Sequence, residues 1–99
     1  MLDKTDNPGQ RRAILTVLGS DRPGIVASVA STLASHEANI LDISQTILQG
    51  IFTMTMLVDV GKTPLTFQEL SDELQELEKA LGVQIQIQRE EVFNYMYRL

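Results

Sequence analysis

The stretch Ala13-Ile14-Leu15-Thr16-Val17-Leu18-Gly19-Ser20-Asp21-Arg22-Pro23-Gly24-Ile25-Val26 decides how the chain folds. Its first six residues form a short apolar run rich in β-formers, which suits a strand, β1 (13–18), buried on much of both faces and stopped by Gly19. Ser20 and Asp21 are helix-capping types, and Pro23 suits a first helical turn, where its missing N–H would have no partner anyway. Ile25, Val26, Val29, Ala30 and Leu33 then fall on one helical stripe, with Ser28, Ser31, Thr32 and Ser35 mostly off it. A strand therefore leads through a tight loop into a helix, α1, which the polar run His36-Glu37-Ala38-Asn39 ends.

Downstream, Ile40–Leu48 reads as β2, Gln49-Gly50 as a tight reversal and Ile51–Val60 as β3. The alternation in β3 sets Phe52, Met54, Met56, Val58 and Val60 on one face against Thr53, Thr55 and Asp59 on the other. After the loop Gly61-Lys62-Thr63-Pro64, Thr66 and Glu69 have the spacing of a capping box. Phe67, Leu70, Leu74, Leu77 and Leu81 follow at three- and four-residue steps, and Gly82 ends this second helix, α2. Val83, Ile85 and Ile87 alternate with Gln84, Gln86 and Gln88 in β4.

The order βαββαβ is the ferredoxin-like arrangement, an α+β sandwich of a four-stranded antiparallel sheet with two helices on one face and β1 and β3 central. Leu41, Ile43 and Ile47, with the apolar residues on both faces of β1, exceed what one helix-covered face requires. Part of the open face, or an edge, is therefore expected to be buried by another subunit. Residues 1–10 read as a disordered lead, 11–90 as the domain, and 91–99 as a short helical tail with Val92, Phe93, Met96 and Leu99 on one stripe, closing the core or the dimer edge.

Length and composition bound the function. The 99 residues suit one domain, and a net charge of −5 without a basic run disfavours nucleic acid. The lack of cysteine removes disulfides, thiol catalysis and Cys-based metal sites, and fits a reducing, cytoplasmic setting. No apolar run is long enough to cross a bilayer, and no cofactor motif is present.

Because this arrangement hosts many activities, individual residues must decide. Stacking aromatics for RNA are missing from β1, and Phe52 on β3 is in register with the core. An acylphosphatase-like hydrolase would use Arg22, which lies between Asp21 and Pro23 rather than in a glycine-rich cradle. His36 reads as a cation at the negative pole of α1, and Glu69, Asp72, Glu73, Glu76 and Glu78 as the solvated side of α2. The loop from Ser20 to Ile25 offers more. It opens a helix, and Gly24 leaves the backbone approachable, so free N–H groups and the helix pole could receive a carboxylate. Spacing alone favours the simpler role for Asp21, Pro23 and Gly24, capping and shaping the helix start.

Leu18-Gly19-Ser20-Asp21-Arg22-Pro23-Gly24-Ile25-Val26, followed by Asn39-Ile40-Leu41-Asp42-Ile43-Ser44-Gln45, resembles the ACT domain, a small ligand-binding regulatory module. The Asp-Arg-Pro-Gly-Ile loop and the Asn-Ile pair that opens β2 are the most specific features, and the likeness covers roughly residues 11 to 90. The β2 stretch and the C-terminal tail are similar in particular to stand-alone bacterial ACT proteins, themselves similar to the glycine cleavage system repressor with its two ACT repeats. The resemblance implies a homodimer that binds a small effector, most often an amino acid, at the subunit interface. Asp21, Arg22, Gly24, Ile25, Asn39 and Ile40 would line the pocket. It implies no catalysis, and output through a protein partner in trans. The alternative is an adaptor that keeps the scaffold for dimerisation without a ligand.

Overall fold

The computed structural model describes residues 11–91. The expected lead over residues 1–10 and the tail stripe over 92–99 lie outside the described residues. The elements are β1 (Arg12–Ser20), α1 (Ile25–Ser35), β2 (Asn39–Leu48), β3 (Ile51–Asp59), α2 (Phe67–Leu81) and β4 (Gln84–Arg89). The strands form one antiparallel sheet in the order β2-β3-β1-β4, with β3 and β1 central as expected.

Alternation decides which sheet face is covered. Ala13, Leu15 and Val17 on β1 and Phe52, Met54, Met56 and Val58 on β3 are buried against Ile25, Val29 and Leu33 of α1 and Leu70 and Leu74 of α2. Burying a leucine of this kind contributes about 2 kcal/mol. On the other face Thr53, Gln84 and Gln86 meet solvent.

Gly19 does not end β1, which continues through Ser20. A Cβ there would stand 2.6 Å from Val83 Cγ1, so the glycine lets the start of β4 close on the strand. α2 seals both its ends. Glu69 N–H donates to Thr66 Oγ1 at 3.1 Å and Thr66 N–H to Glu69 Oε1 at 2.8 Å, a reciprocal capping box. At the other end Gly82, at φ 69°, donates to the Glu78 carbonyl at 2.9 Å. Glu78 is not simply solvated: its Oε2 accepts the Ile85 N–H at 2.7 Å and ties α2 to β4.

The surplus apolar residues sit at an edge. Every residue from Leu41 to Leu48 is exposed. Ile43 pairs with Met56 and Ile47 with Phe52, so both lie on the helix side of the sheet, yet they remain 43% and 54% exposed because β2 overhangs the helices. At the hairpin tip Leu48 (68%) and Ile51 (53%) pair on the open face. An irregularity between Ile40 and Asp42 sets Leu41 out of register, and this is what lets Ile40 and Ile43, three apart, share a face.

Candidate functional site

The loop between β1 and α1 is held at one point and open at the rest. Asp21 N–H donates to the Gly50 carbonyl at 2.9 Å, fastening the loop to the tip of the β2–β3 hairpin. From Asp21 to Gly24 every residue is exposed. Gly24 is the N-cap of α1 at φ 90°, a backbone conformation that other residues enter at a cost, and its carbonyl accepts the Ser28 N–H at 2.9 Å. A Cβ at Gly24 would meet nothing within 4 Å, so the space above the loop is empty.

This corrects the expectation that Asp21 caps the helix. No side chain caps α1, whose N-cap is Gly24. An uncapped start of an 11-residue helix presents donors and a partial positive charge to the same open space. Pro23 lies before the helix rather than in its first turn.

The other expected residues divide. Ile25 is 1% exposed, a core side chain whose contribution to any ligand is limited to its backbone N–H. The Arg22 guanidinium lies 3.9 Å from where a Cβ on Gly82 would stand, at the C-terminal end of α2. There it complements that helix's negative pole, away from any phosphate cradle of the hydrolase kind. Asn39 is exposed, its side chain without a hydrogen bond among the described residues, and Ile40 packs partly on the core.

Strand register separates these residues further. Asn39 pairs with Asp59, which pairs with Arg12, while Leu48 pairs with Ile51, which pairs with Ser20. Asn39 and Ile40 are thus at one end of the sheet and the Asp21–Ile25 loop at the other, separated by a strand roughly 30 Å long. The six residues expected to line one pocket are therefore not brought together within the chain.

Elsewhere His36 has a structural partner. His36, the C-cap of α1, lies 3.3 Å from Glu73 through Nε2, a partly exposed pair joining the two helices. Among the described residues no three His, Asp or Glu side chains gather as metal ligands, and no helix is long and apolar enough to cross a membrane.

Residues 11–88 match the family model of the ACT domain. The UPF0237 protein of Clostridium acetobutylicum is 51% identical over 88 residues, which span 89% of this chain and 99% of that protein. The UPF0237 protein of Methanopyrus kandleri is 49% identical over 88 residues, 89% of this chain and 98% of its own. Among solved structures, an ACT domain protein from Streptococcus pneumoniae superposes with a TM-score of 0.75 at 40% identity, covering 88% of this chain and 98% of that one. A putative glycine cleavage system transcriptional repressor superposes at 0.71 with 24% identity, over 81% of this chain and 46% of its own, a likeness of fold alone.

Proposed function

Because the chain belongs to the ACT-domain family, whose members are commonly small-molecule regulatory modules, we propose that it is an amino-acid-binding regulatory domain acting in trans as a homodimer. The observation that carries the reading is the divided site: a helix start with open amides at one end of the sheet, Asn39 at the other, and an exposed apolar edge between them. Two copies joined antiparallel along β2 bring the Asn39 end of one beside the loop end of its partner, completing two equivalent pockets about a two-fold axis. The amides at Ile25 and Val26 receive the ligand carboxylate. Asn39 of the partner subunit supplies a side-chain acceptor for the ammonium group. Asp21, relieved of any capping role, adds a negative charge beside it. Ile43 and Ile47 are covered in the joint.

Binding then favours the paired arrangement, and the signal passes to a protein partner, in a cytoplasmic setting that suits the cysteine-free composition. The test is a thermal-shift panel of the common amino acids, followed by calorimetry and light scattering. At a hundredfold excess over the dissociation constant, the responding amino acid is expected to stabilise the dimer by about 2.7 kcal/mol. Ile43→Lys with Ile47→Lys should yield a monomer that no longer responds. A dimer stabilised by none of the amino acids defeats the sensor reading in favour of the adaptor, and a wild-type monomer at micromolar concentration defeats both.

A further inference from the structure

A second hollow, about 640 Å³, lies away from the β2 edge, where the ends of β1, β3 and β4 meet the start of α2. The inward-facing series on β1, Ala13, Leu15 and Val17, continues one step back to Arg11, and that on β4, Ile85 and Ile87, continues to Arg89. Arg89 pairs with Ala13 across the ladder, and Arg11, just before β1, shares the parity of Ala13, so both arginines fall on the core side of the sheet's end. Both line the hollow, whose wall sets Val60, Leu65 and Phe67 beside the polar Thr63, Thr66 and Glu90.

The guanidinium of Arg89 lies over the Phe67 ring, 4.4 Å from its centroid, which holds it in one orientation. Glu90, on the opposite parity, is engaged by Arg12 through two bonds of 2.7 Å. Neither Arg11 nor Arg89 has a carboxylate within ion-pair distance among the described residues. Two cations with no ion-paired carboxylate among the described residues thus border a hollow that mixes polar and apolar walls, in a chain of net charge −5. The hollow falls in the size range of small-molecule sites, which combine apolar walls with a few orienting polar groups.

We propose that this hollow binds a small organic acid, a carboxylate on an apolar body, with Arg11 and Arg89 holding the carboxylate and Phe67, Leu65 and Val60 the body. A planar guanidinium matches a carboxylate with two parallel bonds, and the apolar wall excludes a bare inorganic anion from the best fit. Glu91, at the rim, disfavours ligands with a second negative charge. This site is independent of the divided pocket, and its ligand need not be an amino acid.

The test is an amide-resolved NMR titration of the full chain with 3-phenylpropionate, with 3-phenyl-1-propanol and inorganic phosphate as comparison probes. Saturable shifts are expected at Val60, Leu65, Phe67 and Arg89, with each comparison probe at least about tenfold weaker. Arg11→Gln and Arg89→Gln should each weaken the propionate about tenfold, and Glu91→Gln should tighten it about threefold. Arg11→Gln removes no ring contact, so it remains informative should Arg89→Gln disturb the fold. Equal binding of the alcohol or of phosphate, unchanged affinity in Arg11→Gln, shifts confined to Asp21–Ile25, or no saturable shift at millimolar probe would each overturn the proposal.

Discussion

The two helices begin in opposite ways. α2 closes on itself: Thr66 and Glu69 exchange hydrogen bonds, so the amides of Thr66 and Glu69 are both answered from within the chain. α1 begins on a glycine with no side chain to offer, beneath open space, and no side chain among the described residues caps it. A cap of the Ser, Thr or Asp type is worth about 1 kcal/mol, and both Ser20 and Asp21 stand within a few residues of the position. What stands there instead is the residue that keeps the approach clear. α2 thus starts as a purely structural helix does, whereas the start of α1 forgoes stability and leaves its donors available.

The comparison can be broken most forcefully in the core. Leu33 and Leu74 are both buried, at 0% and 1% exposure, so truncation of either to alanine is expected to cost about 3 kcal/mol in urea unfolding. A much smaller loss for Leu33→Ala would mean that α1 is loosely seated and that its open start reflects a marginal helix. At the helix starts themselves, Thr66→Ala should lower stability by about 1 kcal/mol and leave any amino-acid response intact. Gly24→Ala should cost a similar amount, about 1 kcal/mol, because φ is positive there, but should also abolish the response. If the two variants behave alike in the ligand assay, the contrast between the helices has no functional content. The smallest effect is expected where the helices touch at their surface: Glu73→Gln, which removes the carboxylate facing His36, should change stability by only about 0.3 kcal/mol, because the pair is partly solvated.

Much of this was legible in the residues. The three- and four-residue spacing of the α2 leucines, Thr66 with Glu69, and the strict alternation of β3 each specify one local structure, and all agree with the sheet order observed. β2 was harder. Its period is broken at Leu41, an irregularity with no composition of its own, so the alternation that would assign Ile40 and Ile43 to opposite faces fails there. Gly19 was misleading for a related reason, since a residue that ends strands in isolation is here required by Val83, which is remote in sequence. The loop at Asp21–Ile25 could be located, but not the direction of Arg22 or the core burial of the Ile25 side chain, because both depend on α2 and β3 packing alongside. Arg11 and Arg89 carry a signal that lies in the alternation itself: each continues an apolar series with a cation.

The strand order has a consequence for how the molecule comes into being. Among the described residues β1 is the first strand, yet one of its two partners is the last, with Ala13 opposite Arg89 and Arg12 paired to Glu90 across 78 positions. Until β4 has left the ribosome, one side of a strand carrying Leu15 and Val17 has no partner, and a nascent chain holds an incomplete sheet. Contacts so distant in sequence must wait for the loops between them to close, which slows folding relative to a helical bundle of equal length. The sheet can therefore be completed only after nearly all of the domain has been made, and the bond between Arg12 and Glu90 must wait for the same moment.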